Sequence, residues 1–394
     1  VADAMHARAR RGITTMLPSD DALWVAGELQ RRFGLPKWQF AMTATDANRF
    51  VLRFARAITG RPKIAVIDWC YHGTVDETLA VLDASGNVIS RPGAMGPPVD
   101  PSVTTRVVPF NDVVALDREL AHGDVACLLM EPALTNIGIV LPEPGYLAAV
   151  REITRKHGVL LIIDETHTIC AGPGGCTKEW GLEPDMFVIG KTIGGGIPVG
   201  AYGMSAEVGA KVEQLQLSEG IDVSGVGGTL AGNALSMAAV RATLTHALLP
   251  EQFVRTKALA SAWTKGVKDS YERRGLAWSV QQLGSRAEYW FCPLPRTGAD
   301  AAAERTVAAR LGSGHERAGA PDHADPGGRR RLHLRADDRQ RPQGGAAAAA
   351  QPADHGLDRR QSHRAAHPLR ADVRVADGHA HRHAPRLWAV QRRP

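Results

Sequence analysis

Buried strands alternate with helices along the first part of this 394-residue chain, and reactive side chains follow directly after several of the strands. Apolar residues spaced three and four apart from Ala47 to Ile58 mark one face of a helix, and a second helix is expected from about Tyr146 to His157. Strands are predicted at Ile64–Ile67, Val125–Met130, Val159–Ile163, Met186–Ile189 and Ala201–Met204. This alternation predicts an α/β fold with a mostly parallel sheet and helices on both faces.

A lysine and a carboxylate stand at the ends of two of these strands. Lys191 comes after the predicted strand Met186–Ile189, Asp164 after Val159–Ile163, and Glu131 after Val125–Met130. Ligands gather at the carboxyl ends of strands in such sheets. An amine that forms an imine and a carboxylate that keeps a ring nitrogen protonated are what pyridoxal phosphate chemistry needs. Each motif alone is common in other proteins, so the interpretation depends on their joint occurrence in one order.

The cofactor also needs a phosphate site, and Thr43-Ala44-Thr45 stands at the start of the first of these helices. Free N–H groups and the helix dipole favour an anion there. The alternative is that Thr43 is an ordinary helix N-cap.

Two further loops are candidates for cofactor contacts. In Tyr71-His72-Gly73 the aromatic ring could stack on the pyridine, although a histidine in a loop is more often structural. The small-residue loop 227–233 contains Thr229, whose hydroxyl could reach the phosphate. Most glycine-rich loops are simply turns.

The net charge of +6 does not indicate a nucleic-acid binder, because of where the charge lies. Residues 301–394 contain 18 arginines, no lysine and 10 acidic residues, which leaves 29 basic and 31 acidic residues in the first 300. This last segment is rich in Ala, Gly, Pro and His and shows little hydrophobic periodicity, so it is expected to form no packed core. It is either a natural basic tail that binds polyanions or the product of a shifted reading frame in a GC-rich gene. The loss of lysine while arginine is abundant favours the frameshift.

Composition also bounds location and cofactor type. No apolar run of about 18 residues occurs, so we expect no membrane span. The five cysteines include no Cys-x-x-Cys pair, which favours a reducing cytoplasm and argues against zinc and against disulfides.

Together these stretches resemble the class III pyridoxal-phosphate aminotransferases of fold type I, and most of all the branch that contains glutamate-1-semialdehyde aminomutase. The similarity covers about residues 12–297 and follows the family order. The matching stretches are 43–47, 56–61, 71–73, 131–132, 164–165, 190–196 and 228–233.

The resemblance implies a role for each matched position. Lys191 would form the Schiff base and Asp164 would pair with the ring nitrogen, and these two are the expected catalytic residues. The expected cofactor-binding residues are Thr43, Ala44 and Thr45 at the phosphate, Tyr71 and His72 at the ring, Asn136 near the cofactor, Thr166 on the other ring face, Thr229, Asp164 and Lys191. Thr229 would reach the phosphate of a neighbouring subunit, so a homodimer is expected.

The implied activity is amino transfer between a small-molecule amino donor and a keto or aldehyde acceptor. Intramolecular transfer of the aminomutase type is an alternative, and an inactive PLP-binding remnant of a damaged gene is a second one. The expected divisions are an N-terminal remnant (1–35), a PLP-binding large domain (36–245), a linking helix with the start of a small domain (246–297) and a low-order tail (298–394). The front of the family's chain and its small domain are expected to be incomplete.

Overall fold

The computed structural model describes residues 1–14, 17–97, 99–219 and 225–304, which lie in one compact unit. The strands are β1 (Lys37–Ala41), β2 (Lys63–Ile67), β3 (Ala80–Leu82), β4 (Val88–Ser90), β5 (Thr105–Val108), β6 (Val125–Met130), β7 (Leu160–Asp164), β8 (Met186–Ile189), β9 (Gly200–Met204), β10 (Ser279–Leu283) and β11 (Arg286–Trp290). The helices are α1 (Ala2–Ala9), α2 (Asp20–Phe33), α3 (Ala44–Thr59), α4 (Pro101–Thr104), α5 (Val113–Leu120), α6 (Tyr146–Lys156), α7 (Gly175–Glu179), α8 (Ala206–Glu219), α9 (Ala234–His246) and α10 (Pro250–Arg273).

Seven of the described strands form one sheet in the order β1-β9-β8-β7-β6-β2-β5, and β3-β4 and β10-β11 form two-stranded sheets. The pairs from β8 through β7, β6 and β2 to β5 are parallel, whereas β9 runs antiparallel to both β8 and β1. The predicted α/β fold with a mostly parallel sheet is therefore confirmed. Because β6, β7 and β8 are parallel neighbours, the residues that follow them meet at one edge of the sheet.

Helix α3 carries the predicted phosphate segment at its first turn. Thr43 is the N-cap, with its hydroxyl accepting from the Asp46 amide at 3.1 Å, and Gly60 ends the helix at φ 67°. The inner face buries Ala47, Phe50, Val51, Phe54 and Ala55, which are the residues that the spacing of the sequence indicates. The buried face holds the helix against β9, β8 and β6 and so fixes its start over the sheet edge.

Beyond α10 the chain turns back as an antiparallel hairpin of β10 and β11. Residues 298–304 are helical, with Ala301 and Ala302 buried. The remainder of the predicted low-order tail, 305–394, lies outside the described residues. The boundaries proposed between the domains stay predictions.

None of the described helices combines the length and the apolar character that a bilayer span requires.

Candidate active site

Asp164 is a buried carboxylate with three described hydrogen bonds. It ends β7, is 3% exposed, and accepts hydrogen bonds from His72 Nδ1 at 2.9 Å and Asn48 Nδ2 at 3.0 Å, both to Oδ2. Its Oδ1 accepts one bond, from the Thr166 amide at 3.0 Å. Burial disfavours the charged form, but the hydrogen bond and charge of His72, with the Thr166 and Asn48 bonds, lower the pKa of Asp164 to about 2. Asp164 is therefore ionised at neutral pH, and Oδ1 keeps room for one more donor among the described contacts.

His72 lies fully inside the protein, beside Cys70 and against Asp164. Burial opposes its protonation, but the neighbouring Cys70 and the bond and charge of Asp164 raise the pKa of His72 well above its ordinary value. Its Nε2 is buried and has no hydrogen-bond partner among the described residues. The described hydrogen bond of the His72 ring is therefore the one between Nδ1 and the Asp164 carboxylate.

Lys191 follows β8 after one glycine and begins a short 3₁₀ turn that runs to Gly194. Its backbone has φ 48°, in the left-handed region that a lysine rarely adopts, and its side chain is exposed. Such local strain is often found at functional sites.

The start of α3 lies directly against the Lys191 segment. A Cβ placed on Gly190 would come within 2.9 Å of the Ala44 Cβ, and one on Gly200 would meet the backbone of Thr43. Only glycines at these two positions let the phosphate turn approach β8 and β9 this closely. The predicted phosphate residues and Lys191 are therefore neighbours.

The loop that carries Tyr71 closes the same region. A Cβ on Gly73 would collide with the Thr45 hydroxyl, which accepts from the Thr74 amide at 3.3 Å. The backbone amide of Tyr71 donates to Glu131 Oε1 at 3.4 Å. The Tyr71 loop is thus anchored both to the α3 start and to the end of β6.

A cavity of about 370 Å³ opens beside Lys191 and Thr166. The Thr166 hydroxyl is buried and has no hydrogen-bond partner among the described residues, although its amide holds Asp164. The cavity is lined by Thr166, His167, Ile169, Cys170, Lys191, Thr192, Ala247, Leu248, Gln252, Phe253, Thr256, Ser285 and Arg286. Its size and its mixture of apolar walls with a few polar groups suit a small organic ligand.

Three polar residues at this edge were not predicted from the sequence: Asn48, Arg286 and His167. Asn48 is fully buried and holds Asp164; its signal was a polar side chain on the apolar face of α3. Arg286 of β11 donates to the Thr135 carbonyl at 2.9 Å, and its Nη1 lies 3.1 Å from His167 Nδ1. Arg286 and His167 line the cavity near the β10–β11 hairpin, and no spacing in the sequence predicted them.

Glu131 links this network to the Tyr71 loop. It is buried and accepts a short hydrogen bond from the Thr135 hydroxyl. Burial raises the pKa of Glu131, against the opposing charge of His72 and the Thr135 bond.

The two remaining predicted positions, Asn136 and Thr229, lie in loops. Asn136 is half-buried in the loop closed by the Leu134–Val140 bridge. Thr229 is exposed in the loop before α9, and Gly225 at the start of that loop accepts a hydrogen bond from Arg53 of α3. Within one chain, no described contact joins Thr229 to the Lys191 cavity. Its role in a neighbouring subunit stays a prediction.

Comparison with known proteins gives one family. The model described as aminotransferase class III matches residues 1–284. The chain is 37% identical over 280 residues to a glutamate-1-semialdehyde 2,1-aminomutase of Thermomicrobium roseum, covering 70% of this chain and 64% of that protein.

Solved structures agree. A glutamate-1-semialdehyde-aminomutase variant from Pseudomonas aeruginosa in complex with PMP superposes with a TM-score of 0.75 at 47% identity, over 77% of this chain and 68% of that one. An omega-transaminase from Sphaerobacter thermophilus has a TM-score of 0.67 at 30% identity, over 76% and 69% of the two chains.

Proposed function

This chain belongs to the class III aminotransferase family, and on that premise we propose that it is a pyridoxal-phosphate-dependent enzyme that transfers an amino group from a small amino donor to a keto or aldehyde acceptor. The observation that carries the proposal is that Lys191 and Thr166 line the same cavity. The Thr166 amide holds Asp164, an ionised carboxylate with room for one more donor.

The described residues fit the cofactor on three counts. The Thr166 hydroxyl is buried without a partner among the described residues, the α3 start offers free amides, and Gly190 and Gly73 let Ala44 and Thr45 lie close to the Lys191 and Tyr71 segments. The cofactor, when bound, supplies an aldehyde for amines and a ring that takes up electrons from the substrate carbon.

Each side chain then has a defined task. With the cofactor bound, Lys191 would supply the amine that reacts with its aldehyde, and Nζ would take up and return the proton of the substrate carbon. Asp164 would pair with the ring nitrogen and keep it protonated, while His72 and Asn48 hold the carboxylate in place. Thr43, Ala44 and Thr45 would hold the phosphate through amides of the α3 start, and the ring of Tyr71 would lie against the pyridine.

A spectroscopic experiment tests the proposal. Purified chain incubated with pyridoxal 5′-phosphate and then desalted should show a visible absorption band that Lys191→Ala removes and Lys265→Ala retains, since Lys265 is an exposed residue of α10. Equal colourlessness of all three proteins would reject the proposal for this polypeptide, whereas a coloured wild type without turnover would favour the inactive PLP-binding remnant. Turnover of an amine to its carbonyl product would exclude the remnant.

An intramolecular aminomutase is the second candidate, favoured by the relatives that carry this name. The residues named above serve both reactions. An assay with glutamate-1-semialdehyde as sole substrate separates them, because a mutase needs no second substrate, whereas a transaminase needs a separate acceptor.

The proposal includes a homodimer in which Thr229 contacts the phosphate of the partner. It is supported by the exposure of Thr229 in the loop before α9. Sedimentation should give a dimer, and Thr229→Val should weaken cofactor binding. A monomer with full cofactor affinity would contradict this part.

A cytoplasmic location completes the proposal. All five cysteines are free thiols, and three of them are buried. Free thiols persist in reducing compartments. Fractionation of cells that express the gene would test the location.

A further inference from the structure

The turn between β2 and Tyr71 is clamped by a single arginine. Arg91 follows β4, and its Nη1 donates to the Cys70 carbonyl at 2.5 Å. Its guanidinium carbon lies 5.3 Å from the centroid of the Trp69 ring and 5.9 Å from that of Tyr71. Both distances are within the range of a cation–π contact.

The clamped turn is strained. Trp69 has φ 62°, a left-handed conformation that costs free energy for a bulky side chain. Such a conformation persists only where surrounding contacts impose it, and Arg91 supplies two of them at once through the ring of Trp69 and the carbonyl of Cys70.

The β3–β4 hairpin gives the clamp a fixed base. The Arg91 amide donates to the Leu79 carbonyl at 2.9 Å, and the Leu82 amide donates to Asp68 Oδ1 at 3.0 Å. Both ends of the turn are therefore tied to this hairpin, so the guanidinium reaches Tyr71 from a rigid support.

We propose that Arg91 is a positioning residue that holds the ring of Tyr71 in the orientation for stacking on the cofactor. The inference rests on the proposed function, because it assigns Tyr71 its stacking role. An arginine suits this task better than a lysine, since its planar group can lie against two rings while donating to a carbonyl.

The test measures noncovalent affinity for pyridoxamine 5′-phosphate, which forms no bond to Lys191, in four proteins: wild type, Arg91→Met, Tyr71→Leu and the double variant. We expect Arg91→Met to raise the Kd about tenfold, the size of a partly buried cation–π contact. In the Tyr71→Leu background the same change should raise the Kd less than twofold, because the arginine acts through the ring. Arg91→Lys should recover only part of the affinity.

A merely structural role for Arg91 predicts a different pattern. The Kd would then rise by the same factor in both backgrounds, and that additivity would overturn the inference. Arg118→Met is the matched control, because Arg118 is an exposed arginine of α5 and should leave the Kd unchanged. The near-ultraviolet circular dichroism of unliganded Arg91→Met should also change in the tryptophan region, whereas that of Arg118→Met should not.

Failure of the inference is distinguishable from failure of the proposed function. If wild type binds neither pyridoxamine 5′-phosphate nor pyridoxal 5′-phosphate, the function fails and the inference falls with it. If wild type binds both, and Lys191→Ala loses the visible band, but Tyr71→Leu or Arg91→Met leaves the Kd unchanged, the inference alone is overturned.

Discussion

His72 Nδ1 lies 2.9 Å from Asp164 Oδ2, and the two side chains are 0% and 4% exposed. The buried pair is held further by Asn48, whose Nδ2 donates to Asp164 Oδ2 at 3.0 Å and to the His72 carbonyl at 3.1 Å. A carboxylate held in this way stays charged without a bound ligand. The site is therefore preorganised before any cofactor arrives.

The first prediction concerns acid stability. Because the folded pKa of Asp164 is lowered from 3.8 to about 2, its contribution to the free energy of unfolding is complete above about pH 4 and is lost as the pH falls toward 2. The contribution is roughly 2 kcal/mol by the linkage of pKa shifts to stability. Asp164→Asn should therefore flatten the pH dependence of the unfolding free energy between pH 4 and 2, measured by urea denaturation.

The control is Asp269→Asn, which removes an exposed carboxylate paired with Lys265. The unfolding free energy of Asp269→Asn should follow the wild-type pH dependence, because an exposed ion pair contributes little to stability. An unchanged slope in Asp164→Asn would contradict the strong acidity assigned to Asp164. The raised pKa of His72 acts in the opposite sense, so its contribution is present at low pH and is lost as the pH rises through the folded pKa.

The second prediction compares two threonines that follow β7. Thr166 has a buried hydroxyl without a partner among the described residues, whereas the Thr168 hydroxyl donates to Glu165 at 2.5 Å. Thr166→Val should raise the free energy of unfolding of the cofactor-free protein by about 1 kcal/mol, because it removes an unsatisfied polar group. Thr168→Val should lower it by about 1–3 kcal/mol, because the buried Glu165 loses a donor. Equal effects of the two changes on the urea midpoint would show that the Thr166 hydroxyl is satisfied.

The third prediction concerns the fit between Gly73 and Thr45. A Cβ at residue 73 would collide with the Thr45 hydroxyl, so Gly73→Ala should push the phosphate turn out of place and raise the Kd for pyridoxamine 5′-phosphate more than tenfold. Gly34→Ala is the matched control, since Gly34 has φ 80° against 84° for Gly73 and has open space around its Cβ. Both variants carry the backbone cost of a positive φ, and only Gly73→Ala should lose affinity. Equal affinities would mean that Thr45 can move without harm.

Local signals explain why much of this site was predictable. The strand ends at Asp164 and Lys191 follow from short apolar runs, and the N-cap at Thr43 follows from helix chemistry. Because neighbouring parallel strands end at the same edge of the sheet, the order of the strands then brings these residues together.

The contacts that the sequence did not predict are long-range and depend on the exact tertiary arrangement. Asn48 and Asp164 are 116 positions apart, and Arg286 reaches the Thr135 carbonyl across 151 positions. Strand β1 was also missed, because five residues of mixed polarity become an edge strand only when β9 offers its free side. No periodicity within a short window contains this information.

The fourth prediction concerns Arg32, a buried arginine that joins α2 to the end of α9. Its guanidinium donates to Glu28 at 2.7 Å and to the carbonyls of Leu248 and Leu244 at 2.8 and 2.9 Å. Arginine at a helix end satisfies carbonyls that have no partner within the helix. Arg32→Leu should lower the free energy of unfolding by about 2–4 kcal/mol, because it leaves these buried acceptors without a donor.

Arg31 provides the matched control for this change. It is the next residue of α2 and pairs with the same Glu28 at 2.7 Å, but its side chain is 65% exposed against 4% for Arg32. Arg31→Leu should therefore cost less than about 1 kcal/mol. Urea denaturation of both variants, compared at equal denaturant slope, measures the difference. If the two variants lose the same stability, the shared ion pair with Glu28 carries the effect, and the carbonyls at the end of α9 do not depend on Arg32.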